Sequence, residues 1–173
     1  MDRADAANRR LRWDAQCRPA GWVLTEIQEC GQMVIDTELA RKILRAVFEE
    51  GARMGLRPMT VVVADAGGHP LALERADGAN PGGVDIVRNK AYAAVMMRLG
   101  GTRMRELCDE TSWFLSSAQQ VCDGKIFPVP GAIVIRDADG GVIGGLGVTG
   151  DTPDNDAAAG KAALERFGLV AEI

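Results

Sequence analysis

The chain has 173 residues, 47% of them hydrophobic and 25% charged, which is enough apolar material for one domain with a sizeable core. A net charge of −4 and a pI near 5.1 argue against nucleic acid or an anionic membrane surface as a main partner. No apolar run is long enough to cross a bilayer, and the early arginines (Arg3, Arg9, Arg10, Arg12, Arg18) precede no apolar stretch of the kind a secretory signal needs. The expectation is a cytoplasmic protein. Cys17, Cys30, Cys108 and Cys122 contain no CxxC spacing, so free thiols are expected rather than a zinc or redox site.

Residues 1–30 read as a polar arm, with Trp13 and Trp22 able to dock on a partner, and 31–173 as the domain. Asp36-Thr37 is a helix start, and Leu39, Ile43, Val47 and Met54 recur near helical spacing, predicting a helix over 37–54 with Gly55 as its stop. The run 59–64 is rich in β-branched residues and enters the turn Asp65-Ala66-Gly67-Gly68. Leu71 and Leu73 then alternate with Ala72 and Glu74, completing a hairpin. After the loop 77–83, Val84, Val87, Ala91, Ala94 and Val95 mark one face of a helix running to about Leu99.

Gly100-Gly101 ends that helix. Thr102 is placed to cap a short helix holding Met104 and Leu107, and Thr111 to cap another with Trp113, Leu115 and Ala118 buried. The segment 124–130 is irregular. Strands at 132–136 and 142–148 are joined by Asp137-Ala138-Asp139-Gly140-Gly141, a hairpin signal, and Thr152-Pro153 opens the last helix. Hairpins imply antiparallel pairing, so the fold class is α+β: an antiparallel sheet of about five strands flanked by helices. The fifth strand is expected from 32–35 or 126–129.

Gly145-x-Gly147-x-x-Gly150 matches the dinucleotide fingerprint only formally. The 23 residues after Gly150 leave no room for the βαβ unit that gives the fingerprint meaning. Gly160-Lys161 lacks the rest of a P-loop. With a single histidine, a His-rich metal site is excluded, and no Gly-x-Ser-x-Gly elbow exists to carry a nucleophilic serine.

Three stretches resemble the GlcG/HbpS family, the haem-degrading or PduO C-terminal-like domain proteins. They are Val62-Val63-Ala64-Asp65-Ala66-Gly67-Gly68-His69-Pro70-Leu71 with Glu74-Arg75-Ala76-Asp77-Gly78-Ala79; Lys90-Ala91-Tyr92-Ala93-Ala94; and Gly144-Gly145-Leu146-Gly147-Val148-Thr149-Gly150 with Asp154-Asn155-Asp156-Ala157-Ala158-Ala159. Where the family shows Gly-Gly-x-Pro, this chain has Pro130-Gly131-Ala132-Ile133. The resemblance implies a profilin-like or PAS-like sheet, homo-oligomers, and a link to haem or corrinoid binding and to catabolic gene clusters.

The candidate site residues are Asp65, His69, Arg75, Lys90, Thr149 and Asp156. Asp65 is a turn carboxylate or an acid lining a pocket. His69, the sole imidazole, is suited to ligating haem iron or moving a proton, or is simply an exposed turn residue. Lys90 falls at the flank of an apolar helix face; it either snorkels outward or points into a pocket to bind a carboxylate or haem propionate. Arg75 pairs with Asp77 or clamps an anion. Thr149 and Asp156 sit around the last helix start, where backbone N–H groups favour negative charge.

Three functions are open on these residues. The first is a small-molecule binder for haem or a related tetrapyrrole, using His69, Arg75, Lys90, Thr149 and Asp156. The second is a cofactor-independent hydrolase, isomerase or decarboxylase acting on a small, anionic organic acid or aromatic catabolite through Asp65, His69 and Lys90. The third is an accessory subunit of a homo-oligomer.

Overall fold

The computed structural model describes residues 33–173; the expected arm, with Trp13, Trp22, Cys17 and Cys30, lies outside the described residues. Asp36 Oδ1 accepts the Leu39 amide at 2.7 Å and starts α1 (Thr37–Arg53), which ends one residue earlier than its apolar spacing suggests, with Gly55 following at φ +69°. A hairpin follows, β1 (Thr60–Asp65) and β2 (Pro70–Arg75), then α2 (Gly83–Met97), α3 (Gly101–Glu110) and α4 (Ser112–Val121). The second hairpin is β3 (Ala132–Arg136) and β4 (Val142–Thr149). Next come α5 (Pro153–Glu165), whose first turn is capped by Thr152 Oγ1 accepting from the Asn155 amide, and β5 (Val170–Glu172).

The five strands form one antiparallel sheet in the order β2-β1-β4-β3-β5, so the class is α+β as the hairpins imply. Alternation sorts the strand residues onto two apolar faces. Val61, Val63, Ile133, Ile135, Leu146 and Val148 pack under α1 and α5. Val62, Ala64, Ala132 and Val134 face α2 and the α3–α4 pair. The central strand β4 is stripped of side chains beneath α2: a Cβ on Gly145 would stand 2.6 Å from the Ala91 carbonyl oxygen. Gly145 and Gly147 are therefore a packing seam inside an antiparallel strand, with Gly150 just past its end, and the run is not a phosphate loop.

Four local expectations need correction. The fifth strand is the short C-terminal β5, paired with β3; 33–36 and 126–129 are irregular. Helix α3 starts at Gly101 with Gly100 as its cap, because Gly101 lies directly against the Val129 carbonyl, and Thr102 contributes no capping bond. Thr111 precedes α4, but its hydroxyl donates back to the Leu107 carbonyl and caps nothing. Trp113 is 71% exposed, because α4 turns Leu115 inward and leaves the tryptophan on the opposite side.

Candidate functional site

Asp65 closes the β1–β2 turn. Its Oδ1 accepts the amides of Gly67 and His69, both at 2.9 Å, and its own amide donates to the His69 carbonyl. This is the turn role of the residue. It fixes the backbone of His69 while the His69 side chain stays exposed, folded back over Gly67. Gly68, at φ +79°, presents its bare Cα to Tyr92 and Met96 of α2.

Between this turn and α2 runs a cleft of about 340 Å³ lined by His69, Arg88, Asn89, Tyr92 and Lys125, with Asp85 at its rim. Asp85, Arg88, Asn89, Tyr92 and Met96 recur at three- and four-residue spacing, so they form one stripe along α2. Lys125 arrives from the loop after α4, with Nζ 5.7 Å from the Tyr92 ring centre. The cleft thus gathers an imidazole, a phenol ring and two cations. Those cations are weakly engaged: Arg88 reaches Asp85 only at 4.0 Å, and Lys125 reaches Asp123 at 3.3 Å, with all four side chains well exposed.

Lys90 lies on the other side of α2. It is 1% exposed, so it does not snorkel outward. Its Nζ donates to the carbonyls of Pro130 and Val148 at 2.8 Å each and stands 3.7 Å from Asp156 Oδ2. Asp156, also 1% exposed, takes the Asp151 amide at 3.0 Å. Burial pushes the lysine down and the aspartate up from their ordinary values, and each partner offsets part of the other's shift. Gly131, at φ +91°, makes room for this arrangement: a Cβ there would stand 2.8 Å from Lys90 Nζ and 2.6 Å from the Val148 carbonyl oxygen. The Pro130-Gly131 pair, in the place of Gly-Gly-x-Pro, therefore forms one wall of a closed ion pair.

The remaining candidates lie elsewhere. Arg75 is exposed, and its Nη1 donates to the Ala79 carbonyl at 3.1 Å, bracing the loop after β2 in place of the expected pairing with Asp77. Thr149 borders a separate small cavity beside the start of α2. The structure thus brings Lys90 together with Asp156 and leaves His69 apart from both. It gathers around His69 a set the sequence reading passed over: Arg88, Asn89, Tyr92 and Lys125. Tyr92 stood in the second family-like stretch, and its four-residue spacing from Arg88 on one helix is the signal that could have joined the two. Among the described residues no three His, Cys, Asp or Glu side chains gather as a metal site, and no helix is long and apolar enough to cross a membrane.

The family model described as "Haem degrading protein HbpS-like" matches residues 35–165. The chain belongs to the HbpS-like family. A relative from Citrobacter freundii, described as an uncharacterized 15.0 kDa protein in the dhaT-dhaS intergenic region, is 30% identical over 128 residues, covering 74% of this chain and 88% of its own length. The crystal structure of Klebsiella pneumoniae protein ORFY superposes with a TM-score of 0.68 at 26% identity, over 79% of this chain and 93% of that one. The PduOC:heme complex matches with a TM-score of 0.71 at 20% identity, over 82% and 100% of the two chains. HbpS itself matches with a TM-score of 0.68 at 24% identity, over 79% and 92%. The last two likenesses establish the shared fold. In this HbpS-like domain the matched span runs from two residues before α1 to the end of α5, and so includes both the His69 cleft and the Lys90–Asp156 pair.

Proposed function

We propose that this HbpS-like protein binds haem or a related planar tetrapyrrole, seated in the cleft between the β1–β2 turn and α2. The carrying observation is the convergence of His69, Tyr92, Arg88 and Lys125 on that cleft. These groups fit the ligand. A side-chain imidazole with no protein hydrogen bond among the described residues is free to approach iron. The Tyr92 ring is a flat wall, and two loosely paired cations suit propionates. A cleft of about 340 Å³ lies at the small end of ligand sites and is open on one side, so it seats part of a macrocycle without enclosing it. A second copy of the chain closing the open side accords with a homo-oligomer. The family description and the heme complex of the PduOC neighbour support the same ligand class.

Bound haem would supply redox-active iron; His69, Arg88, Tyr92 and Lys125 are the residues that would hold and orient it. Lys90 and Asp156 act from behind, by fixing α2. Titration with haemin should give a saturable Soret shift. His69→Ala should change the spectrum of the bound form, and Arg88→Ala with Lys125→Ala should weaken binding. An unaltered spectrum in His69→Ala would sink the ligation claim, and the absence of any saturable shift would sink the binding claim.

A further inference from the structure

A second cavity, of about 200 Å³, lies at the N-terminal end of α2, bordered by Arg57, Thr60, Asn80, Gly83, Thr149 and Asp151. Thr60 is fully buried, and among the described residues its Oγ1 is the one buried side-chain polar atom without a hydrogen-bond partner. An orphaned buried hydroxyl is costly to keep, so it points to a partner that the chain does not supply.

The rest of the wall offers donors. Gly82 caps α2 with no side-chain bond, and the Gly83 amide at the cavity wall donates to the Asn80 carbonyl at 2.9 Å, so the helix start lends the cavity its dipole. Asn80 spends Oδ1 on the Gly82 amide, which leaves its NH₂ available. Gly83 has no side chain to block the approach: a Cβ would stand 2.5 Å from Thr60 Oγ1. Arg57 commits its backbone amide and Nε to Asp151 Oδ2, at 3.2 and 3.0 Å, leaving its terminal nitrogens free.

The charges decide which ligand suits. Asp151 accepts from Arg57, from the Thr152 amide and from Asn155 Nδ2, and these bonds hold its carboxyl far below the usual carboxylate range. It is therefore a fixed anion that cancels Arg57. Asp85, on the first turn of α2, is exposed and lies towards Arg88. What remains is the partial positive charge of the helix start, about half an elementary charge, which suits a monoanion better than a dianion. The space corresponds to about seven waters at ~30 Å³ each, enough for a carboxylate with a short chain. Ile86 gives that chain an apolar wall.

We infer that the cavity between Thr60 and the start of α2 is a binding site for a short-chain carboxylate, independent of the His69 cleft. The carboxylate accepts from the Thr60 hydroxyl, the Asn80 NH₂ and Arg57, with the α2 dipole behind them. The test is an amide NMR titration of the full chain with sodium propionate, with propionamide and inorganic phosphate as controls. Propionate should shift the amides of 82–86 and 149–151 saturably, propionamide should not, and phosphate should bind no more tightly. Thr60→Val should weaken propionate roughly tenfold, the size expected for one hydrogen bond to a charged group. It should leave the thermal midpoint unchanged or raised, since it removes an unpaired hydroxyl without opening a void. Thr60→Ser should restore binding. His69→Ala should leave the propionate titration unaltered, which separates this site from the haem reading. Equal shifts with propionamide, tighter phosphate, or undiminished binding in Thr60→Val would each overturn the inference.

Discussion

Helix α2 carries two charged regions of opposite character. On its inner side Lys90 is sealed, its ammonium shared between two carbonyls and Asp156. On its outer side Arg88, 4.0 Å from Asp85, and, across the cleft, Lys125, bonded to Asp123 at 3.3 Å, stand in solvent with exposed, weak ion pairs. The inner lysine joins α2 to the Pro130 segment, to β4 and, through Asp156, to α5; the outer cations join nothing firmly. A buried cation whose hydrogen bonds are already taken serves the fold. Cations with spare hydrogen-bonding capacity beside a free imidazole are what the proposed haem site would use.

The largest effect expected from that contrast is on Lys90. Lys90→Met leaves Asp156 buried without its cation and should lower the unfolding free energy by about 3–5 kcal/mol in urea titrations. Adding Asp156→Leu should recover much of that loss, because replacing both members removes both desolvation penalties. If the double variant is no better than the single one, the pair is not the unit described.

A smaller effect is the pH dependence in the acid range. Asp156 keeps its proton to a higher pH in the folded chain than its ordinary value of 3.8. Its contribution is therefore fully present below 3.8 and is lost as pH rises to the folded value. Asp151 behaves in the opposite sense: its contribution is present above 3.8 and is lost as pH falls below it. Relative to wild type, Asp156→Asn should steepen the gain in stability with rising pH across this range, and Asp151→Asn should flatten it. Stability curves that keep the wild-type slope in both variants would contradict these assignments.

The two hairpin turns sharpen the comparison at the level of about 1 kcal/mol. Asp65 accepts two amides, and Asp137 does the same with Asp139 and Gly141 at 3.1 and 2.7 Å. Alanine at either position should cost roughly 1 kcal/mol in stability. Only Asp65→Ala should also weaken haemin binding, because only its turn positions an imidazole. The smallest expected stability change is that of Arg88→Ala, within about 0.5 kcal/mol, although it weakens haemin binding. A large loss of stability there would make Arg88 structural.

Much of the fold was legible because its signals are local. Asp36 and Thr152 cap helices, and the Asp65 and Asp137 turns close hairpins, through contacts three to four residues apart or fewer. Strand β5 escaped notice because three residues, Val170-Ala171-Glu172, carry no alternation, and pairing with distant β3 is what makes them a strand. The exposed Trp113 shows the limit of apolar content as a guide to burial: α4 lies at the periphery and buries one stripe only, through Leu115. The site was less legible. The motif residues Lys90 and Asp156 stood out in the sequence, yet their pairing depends on a 66-residue separation and on the bare Gly131 between them. Lys125 joins the His69 cleft from a loop that no spacing links to the histidine.

The glycines of β4 let α2 rest almost backbone to backbone on the sheet, which leaves the helix little freedom to rock or slide. Both the His69 cleft and the Thr60 cavity use α2 as a wall. A stiff shared wall transmits no change of shape from one side to the other, so occupancy of one site should leave affinity at the other unaltered. The glycine seam thus makes the helix a partition, and the two proposed sites should fill additively.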